Sequence, residues 1–343
     1  MQRWELRVEE VDDPVPAAGQ VLTKVLACGI CGSDLHMLQH GAEMRAVTDE
    51  LAAGEPPDPL RPQTFDPDHV CVMGHEFCCE VIDLGPDVSG LRVGDRVVSV
   101  PGAFDAAGVH AVGYSNRYPG GYGELMVLNE ALAIRVADDV PSHVAALTEP
   151  LAVGVHAVAK SGIAPGDAAV VLGLGPVGLA CVAELRRRGI GPVIGADFSQ
   201  RRRELAAHFG CDEVVDPSVE SAFAAWRRID ATRPLVVFEA VGVPGMIDQA
   251  MKASPRDTRI LVVGVCMPQD HLLPIVGITR ELSIQFAFGY TTEEFAATYR
   301  AVTEGAWDLE PMITGRVDID GVPGAFDALG RPDEHAKILV VPG

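Results

Sequence analysis

The stretch Ala168-Ala169-Val170-Val171-Leu172-Gly173-Leu174-Gly175-Pro176-Val177-Gly178 decides the fold. An apolar run of strand length meets Gly-x-Gly-x-x-Gly, and a helical pattern follows to Arg188. In that setting the glycines have separate tasks. Gly173 lets the chain turn, Gly175 lets the backbone approach a pyrophosphate, and Gly178 lets helix and strand pack closely. The free N–H groups and positive dipole end of the helix then face the phosphates. Gly173, Gly175, Pro176, Val177 and Gly178 are therefore assigned to a dinucleotide.

Working outward, further strands are expected at 192–197, 213–215, 235–240, 259–265 and 282–288, with helices between them. Six buried strands alternating with helices describe a doubly wound parallel sheet, an α/β Rossmann architecture. The second strand ends at Asp197, about 20 residues past the last glycine, where an acidic residue binds the adenosine ribose diol. A carboxylate there repels a 2′-phosphate, which favours NAD over NADP. Arg201, Arg202 and Arg203 allow two readings, a solvated helix face or an arginine that accommodates such a phosphate.

Residues 1–150 have another character, mostly short strands and turns, which suggests a glycine-rich β-barrel. Residues 6–27 read as strand with a turn at 14–19. Residues 42–53 read as helix, and prolines 56, 57, 59, 62 and 67 then force an extended or turning path. That excursion is either surface or a wall beside a substrate cleft. A helix is expected at 293–303 and a last strand at 337–341. The expected domains are 1–150, 151–288, and a return to the first domain over 289–343.

The chemistry-bearing stretch of the first domain is Cys31-Gly32-Ser33-Asp34-Leu35-His36. Cys28 and Cys31 form a Cys-x-x-Cys pair, which fits a redox motif or half a zinc ribbon, but no second such pair exists. With Gly74-His75-Glu76 and Glu149 the stretch reads as a catalytic zinc site. Cys31, His75 and Glu149 supply three donors and leave a fourth position open. Glu76, beside His75, either supports the ligands or exchanges with water as one. Ser33 would hold a substrate hydroxyl, and His36, whose unperturbed pKa lies near neutrality, would pass its proton to solvent.

The net charge of −21 over 343 residues argues against nucleic acid or an anionic membrane as partner. Residues 1–10 lack an apolar secretory core, and no apolar run reaches the roughly 20 residues of a spanning helix. Eight cysteines without a secretory signal suggest a reducing, cytoplasmic compartment.

Taken together, these motifs resemble the zinc-dependent medium-chain dehydrogenases, which include alcohol, sorbitol, butanediol and threonine dehydrogenases. Val93-Gly94-Asp95-Arg96-Val97, Gly120-Gly121-Tyr122 and Glu149-Pro150-Leu151 carry the resemblance too. It implies a GroES-like catalytic domain joined to the Rossmann domain. It implies zinc on Cys31, His75 and Glu149, with Glu76 adjacent, and a proton relay through Ser33 and His36. It places Arg202 near the adenosine ribose. Val153, Gly264, Val265 and Phe286-Ala287-Phe288 fall where the family lines the nicotinamide. The implied reaction is reversible oxidation of an alcohol or diol, often secondary, by NAD, in a homodimer or homotetramer. The alternatives are a zinc-free quinone or enoyl reductase on the same fold and a non-catalytic dinucleotide-binding protein. Residues 100–120 lack the four cysteines with which many relatives bind a structural zinc, so one zinc per chain is expected. Cys79 stands where relatives usually have glycine, which suggests altered packing or an altered turn.

Overall fold

The computed structural model describes residues 1–53, 65–331 and 333–343. The chain divides into two compact units. The first comprises Met1–Glu149, Ile313–Arg331 and Lys337–Gly343, and the second contains Pro150–Met312. The return to the first unit therefore begins at Ile313, later than the expected 289, because 289–312 belongs to the second unit.

The first unit is built on β1 (Gln20–Gly29), followed by α1 (Gly32–Ala53), β2 (Glu76–Leu84), β3 (Arg96–Ser99), β4 (Gly102–Asp105), β5 (Gly108–Ala111), β6 (Leu125–Asn129) and β7 (Ala133–Arg135). A short α2 (Ser142–Ala145) leads into α3 (Thr148–Lys160), which carries the chain into the second unit. Residues 6–15 do not form the expected strand. They carry Glu9, Glu10, Asp12 and Asp13 among exposed neighbours, and so offer no apolar face to bury. The helix expected over 42–53 is the far half of α1, which starts ten residues earlier and bends at His40. The proline-rich stretch 54–64 lies outside the described residues.

β1 is the axis of this unit. One edge pairs antiparallel with β2, from Val21 opposite Leu84 to Gly29 opposite Glu76. The other edge is shared, with β6 pairing at Gln20–Lys24 and a late strand at Cys28 and Gly29. Cys79 sits inside β2, opposite Val25 and Val97 and beside a register shift between Val25 and Ala27, fully buried with its sulfur 3.8 Å from that of Met126. It makes no turn, so the suspected alteration there is packing alone. Residues 100–120 form the β4–β5 hairpin and a following loop. Asp105 anchors them, accepting from Tyr118 (2.9 Å) and pairing with Arg117 (2.7 Å).

In the second unit β8 (Ala168–Leu172), α4 (Pro176–Arg187), β9 (Val193–Ala196), α5 (Gln200–Phe209), β10 (Glu213–Val215), α6 (Ala222–Asp230), β11 (Leu235–Glu239), α7 (Met246–Ala253), β12 (Arg259–Val262), α8 (Pro274–Arg280), β13 (Ser283–Phe286) and α9 (Thr292–Thr303) alternate. Among the described residues the strands order β10-β9-β8-β11-β12-β13, all parallel. The reversal between β8 and β9 on one side and β11 on the other opens a crevice at the strands' C-terminal ends. β8 and β11 are buried along their whole length, each Val, Leu and Phe side chain contributing about 1.5–3 kcal/mol. β13 was expected to be buried, but it is an edge with three of four residues exposed. The chain then returns to the first unit with β14 (Ile313–Val317), α10 (Val322–Leu329) and β15 (Lys337–Val340), and β15 is the strand that completes β1's second edge. No described helix is long and apolar enough to cross a membrane.

Candidate active site

The register of β1 and β2 builds the metal centre. Because Gly29 faces Glu76, the residues just past β1 and just before β2 meet, and those are Cys31 and His75. Ligand atoms of Cys31, His75 and Glu76 all lie within 4.8 Å of one another. Gly29 is required by this approach, since a Cβ there would sit 1.9 Å from Glu76 Oε2.

Glu76 is not simply a donor facing the centre. Lys337, the first residue of β15, places its ammonium 2.7 and 2.6 Å from the two Glu76 oxygens and 3.0 Å from the Ile30 carbonyl. Both side chains are completely buried. Burial works against the Lys337 charge, but the attraction of Glu76 and then of Cys31 outweighs it and raises its pKa. The negative charge of Glu76 is thus matched by Lys337, while its carboxylate stays within the Cys31–His75 set. Glu149 falls outside the Cys31–His75–Glu76 set among the described residues. It occupies the first turn of α3, 7% exposed, close enough to Lys337 to help hold its charge.

Asp34 organises the other side. It is fully buried and accepts from the Cys31 N–H (3.0 Å), the Tyr122 hydroxyl (2.5 Å) and the Tyr114 hydroxyl (2.7 Å). His75 Nδ1 lies 3.4 Å from Asp34 Oδ1. Burial pushes the Asp34 carboxyl up, but His75 and the hydrogen bonds from His75, Tyr122 and Tyr114 carry it below the usual range. The same pairing overcomes burial at His75 and holds its imidazole well above its ordinary value, helped by Cys31. A metal on the ring therefore competes with a proton. Thiolate, imidazole and carboxylate within one shell are the donor set of Zn²⁺, so these residues fit a catalytic zinc.

Ser33 Oγ is 3.0 Å from the Tyr114 hydroxyl. His36, on the first turns of α1, has an Nδ1 without a hydrogen-bond partner among the described residues. Burial, then the neighbouring His40, lowers its pKa. It is thus a neutral base near pH 7. Sequence reasoning quoted Asp34 and Tyr122 without giving them roles, and it missed Tyr114 and Lys337. A lysine heading the otherwise apolar run Lys337-Ile338-Leu339-Val340 was the available clue.

The dinucleotide residues lie in the second unit. Gly175 caps α4, Pro176 and Val177 open it, and a Cβ on Gly178 would meet the Gly173 carbonyl at 1.9 Å. Asp197 accepts from Leu174 N (2.8 Å) and Ser199 N (2.9 Å), so it also fixes the glycine loop. Arg202 Nη1 stands 3.7 Å from Asp197, and Arg203 pairs with Asp216 at 3.2 Å. Gly264 and Val265 follow β12, and Phe286, Ala287 and Phe288 lie at the end of β13, all at the C-terminal ends of the strands. Val153 is partly buried on α3. Glu239, unforeseen, ends β11 buried and accepts from Val241 N (2.7 Å) and Gly242 N (2.9 Å).

Residues 17–138 match the alcohol dehydrogenase GroES-like domain, and residues 176–304 match the zinc-binding dehydrogenase domain. The chain is 30% identical to (R,R)-butanediol dehydrogenase of Bacillus subtilis (strain 168), covering 99% of both chains. It superposes on the crystal structure of 2R,3R-butanediol dehydrogenase from Bacillus subtilis with a TM-score of 0.81 at 28% identity, covering 100% of this chain and 97% of that one. A zinc-binding dehydrogenase from Sinorhizobium meliloti 1021 bound to NADP gives 0.79 at 26% identity, covering 97% and 94%. With its donor set, its glycine loop and this end-to-end likeness, the chain belongs to the zinc-dependent medium-chain dehydrogenases.

Proposed function

We propose that the protein oxidises a secondary alcohol, most suitably a vicinal diol or polyol, to a ketone, reversibly and with NAD. The convergence of Cys31 and His75 beside the Ser33 hydroxyl carries this reading, in a chain that matches a butanediol dehydrogenase along its length. Cys31, His75 and Glu149 would hold the zinc, because Glu76 is bound on both oxygens by Lys337. When bound, zinc supplies Lewis-acid polarisation of the substrate oxygen and lowers its proton affinity. Ser33 would then orient the substrate hydroxyl and, as it takes that proton, release its own into the relay that His36 completes. His36, kept neutral by burial and His40, accepts a proton on its way to solvent. A zinc-free reductase would have no need of this donor set.

NAD is preferred over NADP because Asp197 closes the ribose end of the glycine loop. Arg202 and Arg203, the groups that could greet a 2′-phosphate, already face carboxylates. The expected result is turnover of 2,3-butanediol or a related secondary diol with NAD, at least tenfold faster than with NADP at equal concentration. Oxidation of primary alcohols alone, or an NADP preference, would overturn the respective half of the reading.

The exposed edge of β13, with Phe286, Phe288 and Ile278 at 63, 95 and 70% exposure, is the proposed seat of a second copy of the chain. Light scattering should give twice the chain mass or a multiple of it, and monomer mass after Ile284→Pro. An unchanged oligomer in that variant would move the interface elsewhere.

A further inference from the structure

Loops leave the C-terminal ends of β8, β11 and β12, and the one after β11 is pressed between the other two. On one side, a Cβ on Gly173 would sit 2.8 Å from the Ala240 carbonyl oxygen and 2.9 Å from Val241 Cγ2. On the other, a Cβ on Gly242 would sit 2.6 Å from both the nitrogen and the oxygen of Val265, and one on Gly264 would sit 2.4 Å from Gly242 N. The three loops therefore touch where only glycine fits, and residues 240–242 act as a spacer. The NAD reading gives the first loop to the pyrophosphate and the third, at 264–265, to the nicotinamide.

The spacer is held by the residue that precedes it. Glu239 is 1% exposed, and its Oε1 accepts from both Val241 N (2.7 Å) and Gly242 N (2.9 Å). Its backbone carbonyl accepts from Val263 N and Gly264 N, each at 2.9 Å. One residue thus grips the spacer with its side chain and the next loop with its main chain. The far end of the spacer's turn is tied separately, through Gly245 N to Asp270 Oδ1 at 2.8 Å. The glycine loop has a carboxylate of its own, Asp197, on Leu174 N.

We propose that Glu239 is a positioning residue for the cofactor, whose carboxylate sets the spacing between the phosphate loop and the nicotinamide loop. It acts through the turn it holds. The proposal rests on the NAD reading above and deepens it. A dinucleotide that spans both loops senses their spacing. ADP-ribose, which lacks the nicotinamide, senses the phosphate loop, and that loop keeps its anchor at Asp197. Glu239→Gln retains an oxygen for the two N–H groups, whereas Glu239→Met offers them only a weakly accepting sulfur.

The test is NADH and ADP-ribose affinity by calorimetry, with deuterium uptake of segments 240–245 and 263–266 followed by mass spectrometry on cofactor-free protein. Glu239→Met should bind NADH about tenfold more weakly, the net worth of one lost hydrogen bond to a charged group. Its ADP-ribose affinity should not change, and both segments should exchange faster. Glu239→Gln should behave as the wild type in all three. Gly242→Ala forces the spacer off Val265 with Glu239 intact, so it should also weaken NADH and spare ADP-ribose, and it decides the matter if Glu239→Met does not fold. Unchanged NADH affinity in either variant overturns the proposal, as does unchanged deuterium uptake in Glu239→Met. An equal loss of ADP-ribose affinity overturns it too, by making the effect a general loosening of the sheet's end, and so does a Glu239→Gln variant as weak as Glu239→Met. A wild type that binds neither ligand would sink the NAD reading itself, while deuterium uptake would still decide whether Glu239 holds the turn.

Discussion

Lys337→Met is expected to cost about 3–5 kcal/mol of unfolding free energy, because it strands the fully buried Glu76 carboxylate without its counter-ion. The magnitude follows from asymmetry. An intact buried pair adds little over two apolar groups, because desolvation cancels most of the attraction. A broken pair leaves the desolvation cost uncompensated. The Lys337 ammonium donates to both Glu76 oxygens and to the Ile30 carbonyl, so its loss removes three hydrogen bonds at once. Lys337→Met/Glu76→Gln should recover most of the loss. The chain has three tryptophans, at positions 4, 226 and 307. Urea unfolding read from Trp4 fluorescence, with Trp226 and Trp307 replaced by phenylalanine, isolates the first unit. A loss below about 1 kcal/mol would mean that Glu76 finds water or takes a proton cheaply.

Cys31→Ser should bind zinc about 10²–10³-fold more weakly, a quarter of the roughly 10–16 kcal/mol that four-ligand zinc sites supply. Alcohol oxidation should vanish with the metal. The serine hydroxyl is a poor substitute, being protonated at neutral pH where the thiolate is the ligand. Elemental analysis after dialysis against a chelator reads the outcome, and one zinc per chain retained by the variant would remove Cys31 from the site. The same measurement ranks the carboxylates. Glu149→Gln should lose zinc, whereas Glu76→Gln should keep it.

The legibility of the chain followed the range of the interactions. The glycine loop and the strands 168–172 and 213–215 were readable because each is a local pattern, apolar run against turn. Cys31 and His75 were readable because each sits beside a strand end with its own motif. Lys337 was hidden because its partner is 261 residues away and only the β15–β1–β2 pairing brings them together. Tyr114 was hidden for a related reason, since it belongs to the loop that follows the β4–β5 hairpin, whose sequence announces turns and nothing else. Phe286 and Phe288 look like core in the sequence and are exposed because β13 is the sheet's edge, whereas Ile284 packs partly buried against the core.

The late arrival of β15 sets a clock on the newborn chain. Synthesis at about 5–20 residues per second leaves roughly 13–50 seconds between the appearance of Glu76 and that of Lys337. Through that interval the carboxylate has no cation to meet and must stay wet. The long segment of the second unit, Pro150–Met312, can fold meanwhile. The first unit's interior therefore seals last, and a truncation that spares every metal donor but removes the final strand would still leave the pocket open to solvent.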